Sequence, residues 1–257
     1  LGIDFVGGSV LEVGFANDVD IELARDIVSE LGYSDPTINT IGSDNTISIR
    51  TKSMSVEEKN VIVAALSEKF GEAEERQFNS VGPAVGQETA RAAGMALLAT
   101  SVAILAFVAI AFHKVPHAGR YGACAIFKML HDVLFLLGFA SIMGFVAGWE
   151  IDTMFLTAVL TVLGFSVQDV IVVFDRIREN ITRRRTEPYE TIVNRSLLET
   201  LHRSLATQLN AIFVMLAIAL FGGDTTRQFM ITMLVGMGIG TYSSLFFATP
   251  LLVVWNN

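Results

Sequence analysis

Five apolar stretches dominate the last two thirds of this chain, covering residues 92–112, 121–148, 153–174, 204–221 and 229–254. Each is near or above the roughly 20 residues that a helix needs to cross the hydrocarbon of a bilayer. The chain therefore reads as an α-helical polytopic membrane protein, and its 52% hydrophobic and 17% charged residues agree with that. Charge is divided unevenly along it. Residues 1–90 hold 16 Asp and Glu against 6 Lys and Arg, a net of −10, whereas residues 91–257 hold 10 against 12, a net of +2. A segment as acidic as the first is a poor match for a phosphate backbone, so no nucleic-acid partner is expected. Cys124 is the single cysteine, which excludes an internal disulfide, and no metal site is expected.

The connections between the stretches sort by charge. Residues 112–120 carry Lys114 and Arg120, and an Arg-rich loop over about 175–196 carries Arg176, Arg178, Arg183, Arg184, Arg185 and Arg195. The alternate connections, 149–152 and 222–228, offer only Arg227 as a basic residue. Basic residues gather on the cytoplasmic side of a membrane, which puts the Arg-rich loop inside and residues 1–90 outside. A polar segment of that size needs something ahead of it to carry it across. A further spanning helix upstream is therefore expected, giving six in all.

Residues 1–90 read as a compact α+β domain. Residues 1–15 are rich in β formers with a break at Gly7-Gly8, and residues 18–31 have helical periodicity with Asn17 or Asp18 able to cap them. Strands over 37–41 and 46–51 flank a turn at 42–45. Ser55 and Glu58 form a capping box that opens a helix through Phe70, and residues 74–79 close as a strand. The order β-α-β-β-α-β is the ferredoxin-like split arrangement. Without His, Cys or a carboxylate cluster at ligand spacing, this domain is expected to bind or pack, not to catalyse.

A charge near the centre of a bilayer costs about 2.5–3.5 kcal/mol on insertion scales, so the charges inside the apolar stretches need partners. Asp169 is the only one in the third stretch and marks an ion or proton pathway. Asp132 lies beside His131 and four residues after Lys128; it either takes part in proton movement or only neutralises Lys128. Arg203 opens the fourth stretch at a depth similar to that of Asp169, about 9 Å from the boundary. Thr161, Ser166 and Asp169 share one side of the third stretch, and Arg203, Thr207 and Asn210 form a stripe on the fourth. Either the two charges meet, or Arg203 snorkels to the headgroups. His113 and His117 read as ordinary loop residues, and the pairs Gly144/Gly148 and Gly236/Gly240 as helix-packing positions.

These residues fall in motifs that resemble those of the SecF family, or the SecF half of fused SecDF proteins. Gly2-Ile3-Asp4-Phe5-Val6-Gly7-Gly8 is similar to the family's GIDFxGG opening, and His131-Asp132-Val133 to its HDV element. The stretch from Gly164 to Asp169 is similar to GYSxND, with Phe165 for Tyr and Gln168 for Asn; Val170 then stands for Thr. The run from Val172 to Asn180, with Asp175 and Arg176, is similar to VVFDRIREN. Asn194-Arg195-Ser196-Leu197 with Thr200-Leu201-His202-Arg203 resembles NRS…TLSRT, His202 replacing Ser. The resemblance spans nearly the whole chain. It implies an RND-like membrane half with a periplasmic α+β domain, in the bacterial inner membrane. It also implies a non-enzymatic export factor that pairs with SecD, associates with the SecYEG translocon and promotes preprotein export with the proton-motive force. No cofactor is expected beyond protons as the coupling ion. Asp169 and Arg203 fall on the family's proton-linked Asp and Arg. The rival reading is an RND-type proton-coupled exporter of small molecules or lipids. An intramembrane protease is not supported, because GxGD, GxSG and HExxH are all missing.

Overall fold

A computed structural model describes residues 1–41, 45–112 and 118–255. The chain forms two compact units, Leu1–Gly94 and Met95–Asn257. The turn expected at 42–45 and the histidines His113 and His117 fall largely or wholly outside the described residues.

In the first unit a short helix α1 (Ile3–Val6) precedes strand β1 (Gly8–Phe15). Ile3–Val6 is thus a helical turn and not part of a strand, although its residues favour β structure. The reason is local: the Gly7 N–H closes the turn on the Ile3 carbonyl at 2.8 Å, and Gly7 then takes φ 77° to leave it. A Cβ on Gly7 would lie 2.7 Å from Pro83 Cα, and one on Gly8 would lie 2.7 Å from the Thr51 carbonyl oxygen. Both positions therefore need glycine. Helix α2 (Ile21–Glu30) starts later than expected, because the carboxylate of Asp20, rather than Asn17 or Asp18, accepts from the Glu22 and Leu23 amides. Strands β2 (Thr37–Ile41) and β3 (Thr46–Thr51), helix α3 (Val56–Phe70) and strand β4 (Ala73–Val81) follow, and Ser55 and Glu58 make the capping box. The sheet order is β2-β3-β1-β4 with all neighbours antiparallel, which is the split β-α-β-β-α-β topology. Alternate residues Leu11, Val13 and Phe15 of β1 and Ile47 and Ile49 of β3 meet Val28 of α2 and Ile62, Leu66 and Phe70 of α3 in one core.

The second unit is helical. The boundary between the units falls inside α4 (Pro83–Phe112). Then come α5 (Ala118–Ala147), α6 (Thr153–Arg183), α7 (Tyr189–Phe221) and α8 (Asp224–Ser243), followed by a π-helical turn at Ser244–Ala248 and α9 (Thr249–Val254). Among the described residues five helical segments are long and apolar enough to cross a membrane, α8, the π turn and α9 forming the fifth. Helix α8 packs on α5, α6 and α7. Its Gly236 and Gly240 sit where a Cβ would come 2.5 Å from Val162 Cγ2 and 3.1 Å from Ser166 Cβ, so small residues set this approach. Gly148 does something else: it adopts φ 68° just after α5 ends.

The Arg-rich segment expected as a loop over 175–196 is mostly helix, and only residues 184–188 connect α6 to α7. Oppositely charged residues spaced by three or four hold the extended end of α6 together: Asp175 with Arg178 at 2.6 Å, Arg176 with Glu179 at 2.5 Å and Glu179 with Arg183 at 2.7 Å. At 31 residues α6 is about 46 Å long, more than the roughly 30 Å of hydrocarbon, so part of it lies beyond the membrane core.

Candidate functional site

Polar side chains gather inside the bundle at one level of α5, α6 and α7. On α5, Lys128 and Asp132 are one turn apart and share a face, with side chains 1% and 0% exposed. The Lys128 Nζ donates to Asp132 Oδ2 at 2.8 Å and also to the Ser166 hydroxyl oxygen of α6, while that hydroxyl donates to Asp132 Oδ2. Gly240 of α8 leaves room for Ser166. The other carboxylate oxygen, Asp132 Oδ1, lies 3.1 Å from His131 Nδ1, and the His131 ring stacks on Phe247 of the π turn at 4.9 Å. Asp132 therefore has both oxygens occupied, as a charge without water requires.

Asp169 lies three residues beyond Ser166 on the same buried face of α6. Its Oδ2 accepts a hydrogen bond from Gln208 Nε2 of α7 at 3.0 Å. Gln208 is itself incompletely satisfied: among the described residues its Oε1 is buried without a hydrogen-bond partner, as are Ser204 Oγ, one turn before it on α7, and Glu187 Oε2.

Asp169 and Arg203 are not brought together. Arg203 is exposed on the bundle surface, as are Thr207 and Asn210 of the same stripe, and α7 instead turns Ser196, Thr200, Ser204 and Gln208 inward. These two stripes differ by one residue in phase. A guanidinium on a long stem reaches polar surroundings from the outer face, and a neutral amide costs less to bury there. Gln208 and Ser204 were missed in the sequence for that reason, though the four-residue steps of Ser196, Thr200, Ser204 and Gln208 were a usable signal. Asp132 does pair with Lys128.

A second polar cluster lies toward the far ends of α6 and α7. The Arg176 Nε bonds Glu199 Oε2 at 2.6 Å, and Asn180 Nδ2 donates to Glu199 Oε2 and to Ser196 Oγ at 2.9 Å each. The Ser196 hydroxyl donates in turn to the Ile192 carbonyl. Arg176 and Asp175 of the motif run are thus helix-end ion-pair residues. Gly7 and Gly8 of the opening motif shape the start of β1, and Gly2 is buried as the N-cap of α1, with Asp4 in its first turn.

Five membrane-crossing helical segments, a split β-α-β-β-α-β domain ahead of them and a charged cluster buried among the helices define a polytopic membrane protein of the transport type. Comparison with known proteins gives the family. Residues 61–257 match the C-terminal region of the protein export membrane proteins SecD/SecF, and residues 1–19 match the SecD/SecF GG motif. The chain is 45% identical to the protein translocase subunit SecF of Thermobaculum terrenum and 43% identical to that of Anaerolinea thermophila, in each case over 100% of this chain and 84% of the relative. The crystal structure of SecDF, a translocon-associated membrane protein from Thermus thermophilus, superposes with a TM-score of 0.86 at 32% identity over 99% of this chain. That alignment spans 34% of the SecDF chain. This chain belongs to the SecF family of protein export membrane proteins.

Proposed function

We propose that the chain is an accessory subunit of the Sec protein translocase, pairing with a SecD chain or SecD half and associating with SecYEG to promote preprotein export. It draws on the proton-motive force, worth about 2.3 kcal/mol per charge per 100 mV of membrane potential. In this reading it sits in the bacterial cytoplasmic membrane with residues 1–90 outside and the Arg-rich ends of α6 and α7 in the cytoplasm, as their basic residues favour. The observation that carries the proton reading is Asp169, a carboxylate buried in a membrane helix whose hydrogen-bond partner is a neutral amide. For carboxyl groups in general, burial favours the neutral form and hydrogen-bond donors favour the charged one, which is how a change of helix packing can be coupled to a proton. Arg203 enters through a second packing, in which α7 rotates by about one residue, ~100°, and presents its neighbouring stripe to α6. Alternation between packings that open the site to opposite sides couples proton passage to helix movement.

The test is Asp169→Asn, nearly isosteric and unable to ionise. It is expected to leave assembly with the translocase intact and to abolish the stimulation of export by a proton gradient in proteoliposomes. Unchanged stimulation would reduce Asp169 to a structural role.

A further inference from the structure

Among the described residues of the membrane unit, the buried charged side chains are Lys128, Asp132 and Asp169: one cation for two anions. Ser166 connects them, since its hydroxyl touches Lys128 and Asp132 and its backbone lies one turn from Asp169 on the same face of α6. With both acids ionised the cluster carries one uncompensated negative charge, which is costly where water is excluded. One added proton makes it neutral. We propose that Lys128 is the shared counter-ion of Asp132 and Asp169, so that the two carboxyl groups together hold one exchangeable proton. This rests on the proton-coupled reading above and adds to it a positioning residue that decides which acid carries the charge.

The surroundings fit a site that changes protonation. Gln208 donates its amide N–H to Asp169, and its Oε1 lacks a donor; turning the amide end for end lets Oε1 accept from a protonated Asp169. Helix α8 presents Gly240, and the π turn presents Phe247 against His131. Among the described residues, two further titratable groups adjoin the cluster on α5: His131, whose side chain is 31% exposed and whose Nδ1 lies 3.1 Å from Asp132 Oδ1, and buried Cys124, one turn before Lys128. On α7, His202 and Arg203 lie on the exposed side.

Sharing one cation predicts changes of opposite sign. Infrared difference spectra of the intact chain, reconstituted with its translocase partners and titrated with pH, report the protonated-carboxyl band, and Asp169→Asn identifies the part due to Asp169. Asp132→Asn leaves Lys128 to Asp169 alone, so the Asp169 band should be lost at pH values where the unaltered protein shows it. Lys128→Met leaves two acids and no cation, so the band should persist to higher pH and gain intensity. Lys128→Arg should restore the original titration. If Lys128→Met fails to fold, the double variant Lys128→Met/Asp132→Asn keeps the test open, because Asp169 should then stay protonated to higher pH than it does in Asp132→Asn alone, where Lys128 remains. An Asp169 band unmoved by these variants, or moved in the same direction by Asp132→Asn and Lys128→Met, overturns the proposal. Proton-driven export in Asp169→Asn would instead overturn the coupling function and leave the charge sharing intact.

Discussion

Helices α6 and α7 carry two polar clusters that differ in every physical respect except their scaffold. The inner one, reached by Lys128 and Asp132 of α5, is shut away from solvent, with Ser166 and Gln208 as hydrogen-bonding neighbours. The end cluster of Arg176, Glu179, Asn180 and Glu199 has its charged side chains about one third exposed. The end cluster has redundant partners, since Arg176 reaches two glutamates and Asn180 two acceptors. The inner cluster likewise sets two acids against one base, but out of contact with solvent, and among the described residues Gln208 Oε1 beside Asp169 is buried without a hydrogen-bond partner. Redundancy suits a clamp that holds two helix ends in register. An unsatisfied, unbalanced cluster suits a site whose occupancy changes.

The largest effect should come from the inner cluster. Lys128→Met removes the cation of a buried pair, and a loss of about 3–5 kcal/mol at neutral pH is expected from thermal unfolding in detergent. That loss should shrink in acid, because protonated carboxyl groups need no counter-ion; a loss equal at both pH values would mean that Lys128 acts only through packing. Next comes Asn180→Ala, which deletes two hydrogen bonds from a buried amide and should cost about 1–3 kcal/mol in the same measurement. No measurable cost would show that Arg176 and Glu199 hold the helix ends unaided.

Smaller still, Glu199→Gln should lower the melting temperature slightly at low salt and hardly at all at high salt, since part-exposed ion pairs are screened. The effect of Lys128→Met should be insensitive to salt, and equal salt sensitivity at the two sites would erase the contrast between them. The smallest change is expected at Glu58, a carboxylate outside the bundle with its side chain at a helix start. The Ser55 backbone N–H, 2.8 Å from Glu58 Oε2, holds that carboxyl below the usual carboxylate range. A depressed folded-state value stabilises above the ordinary carboxylate pKa and is lost as pH falls through the depressed one. Glu58→Gln should therefore flatten the acid limb of the first unit's melting curve, and an unchanged limb would show that the capping box does not contribute.

Much of this is legible in the sequence. Asp169 stood out because a lone charge in an apolar run has few bland explanations, and the Ser55/Glu58 box because its spacing is tied to one geometry, whereas Asp132 read equally well as part of proton movement or as the partner of Lys128. The phase of α7 was not legible. Arg203, Thr207 and Asn210 have as good a helical period as Ser196, Thr200, Ser204 and Gln208, and periodicity cannot say which stripe faces in when lipid and protein are both apolar. Charge misled at the ends of α6 and α7 for a related reason. An Arg-rich segment looks like a loop, yet Asp and Glu at three- and four-residue spacing let it continue as helix. Ile3–Val6 escaped because β-forming residues yielded to a few local backbone hydrogen bonds, onto the Gly2 and Ile3 carbonyls, and a glycine exit.

The π turn at Ser244–Ala248 bears on how such a helix keeps time. Along the last crossing, buried residues recur every four positions, at Thr232, Gly236, Gly240, Ser244, Ala248 and Leu252. An α-helix completes a turn in 3.6 residues, so a four-residue beat drifts by about 40° with each repeat. A π turn takes up extra chain without advancing the helix by a full step, and its wider winding is consolidated by Thr249 Oγ1 donating to the Ser244 carbonyl five residues back. The accumulated phase error is absorbed there, close to the point where Phe247 meets His131. Removing one residue from this turn would let the segment rewind as ordinary helix with the residues after it kept on nearly the same faces, whereas winding the same number of residues as α-helix would turn everything after it by roughly a quarter turn, so the winding of this short stretch, more than its composition, sets what faces the buried cluster.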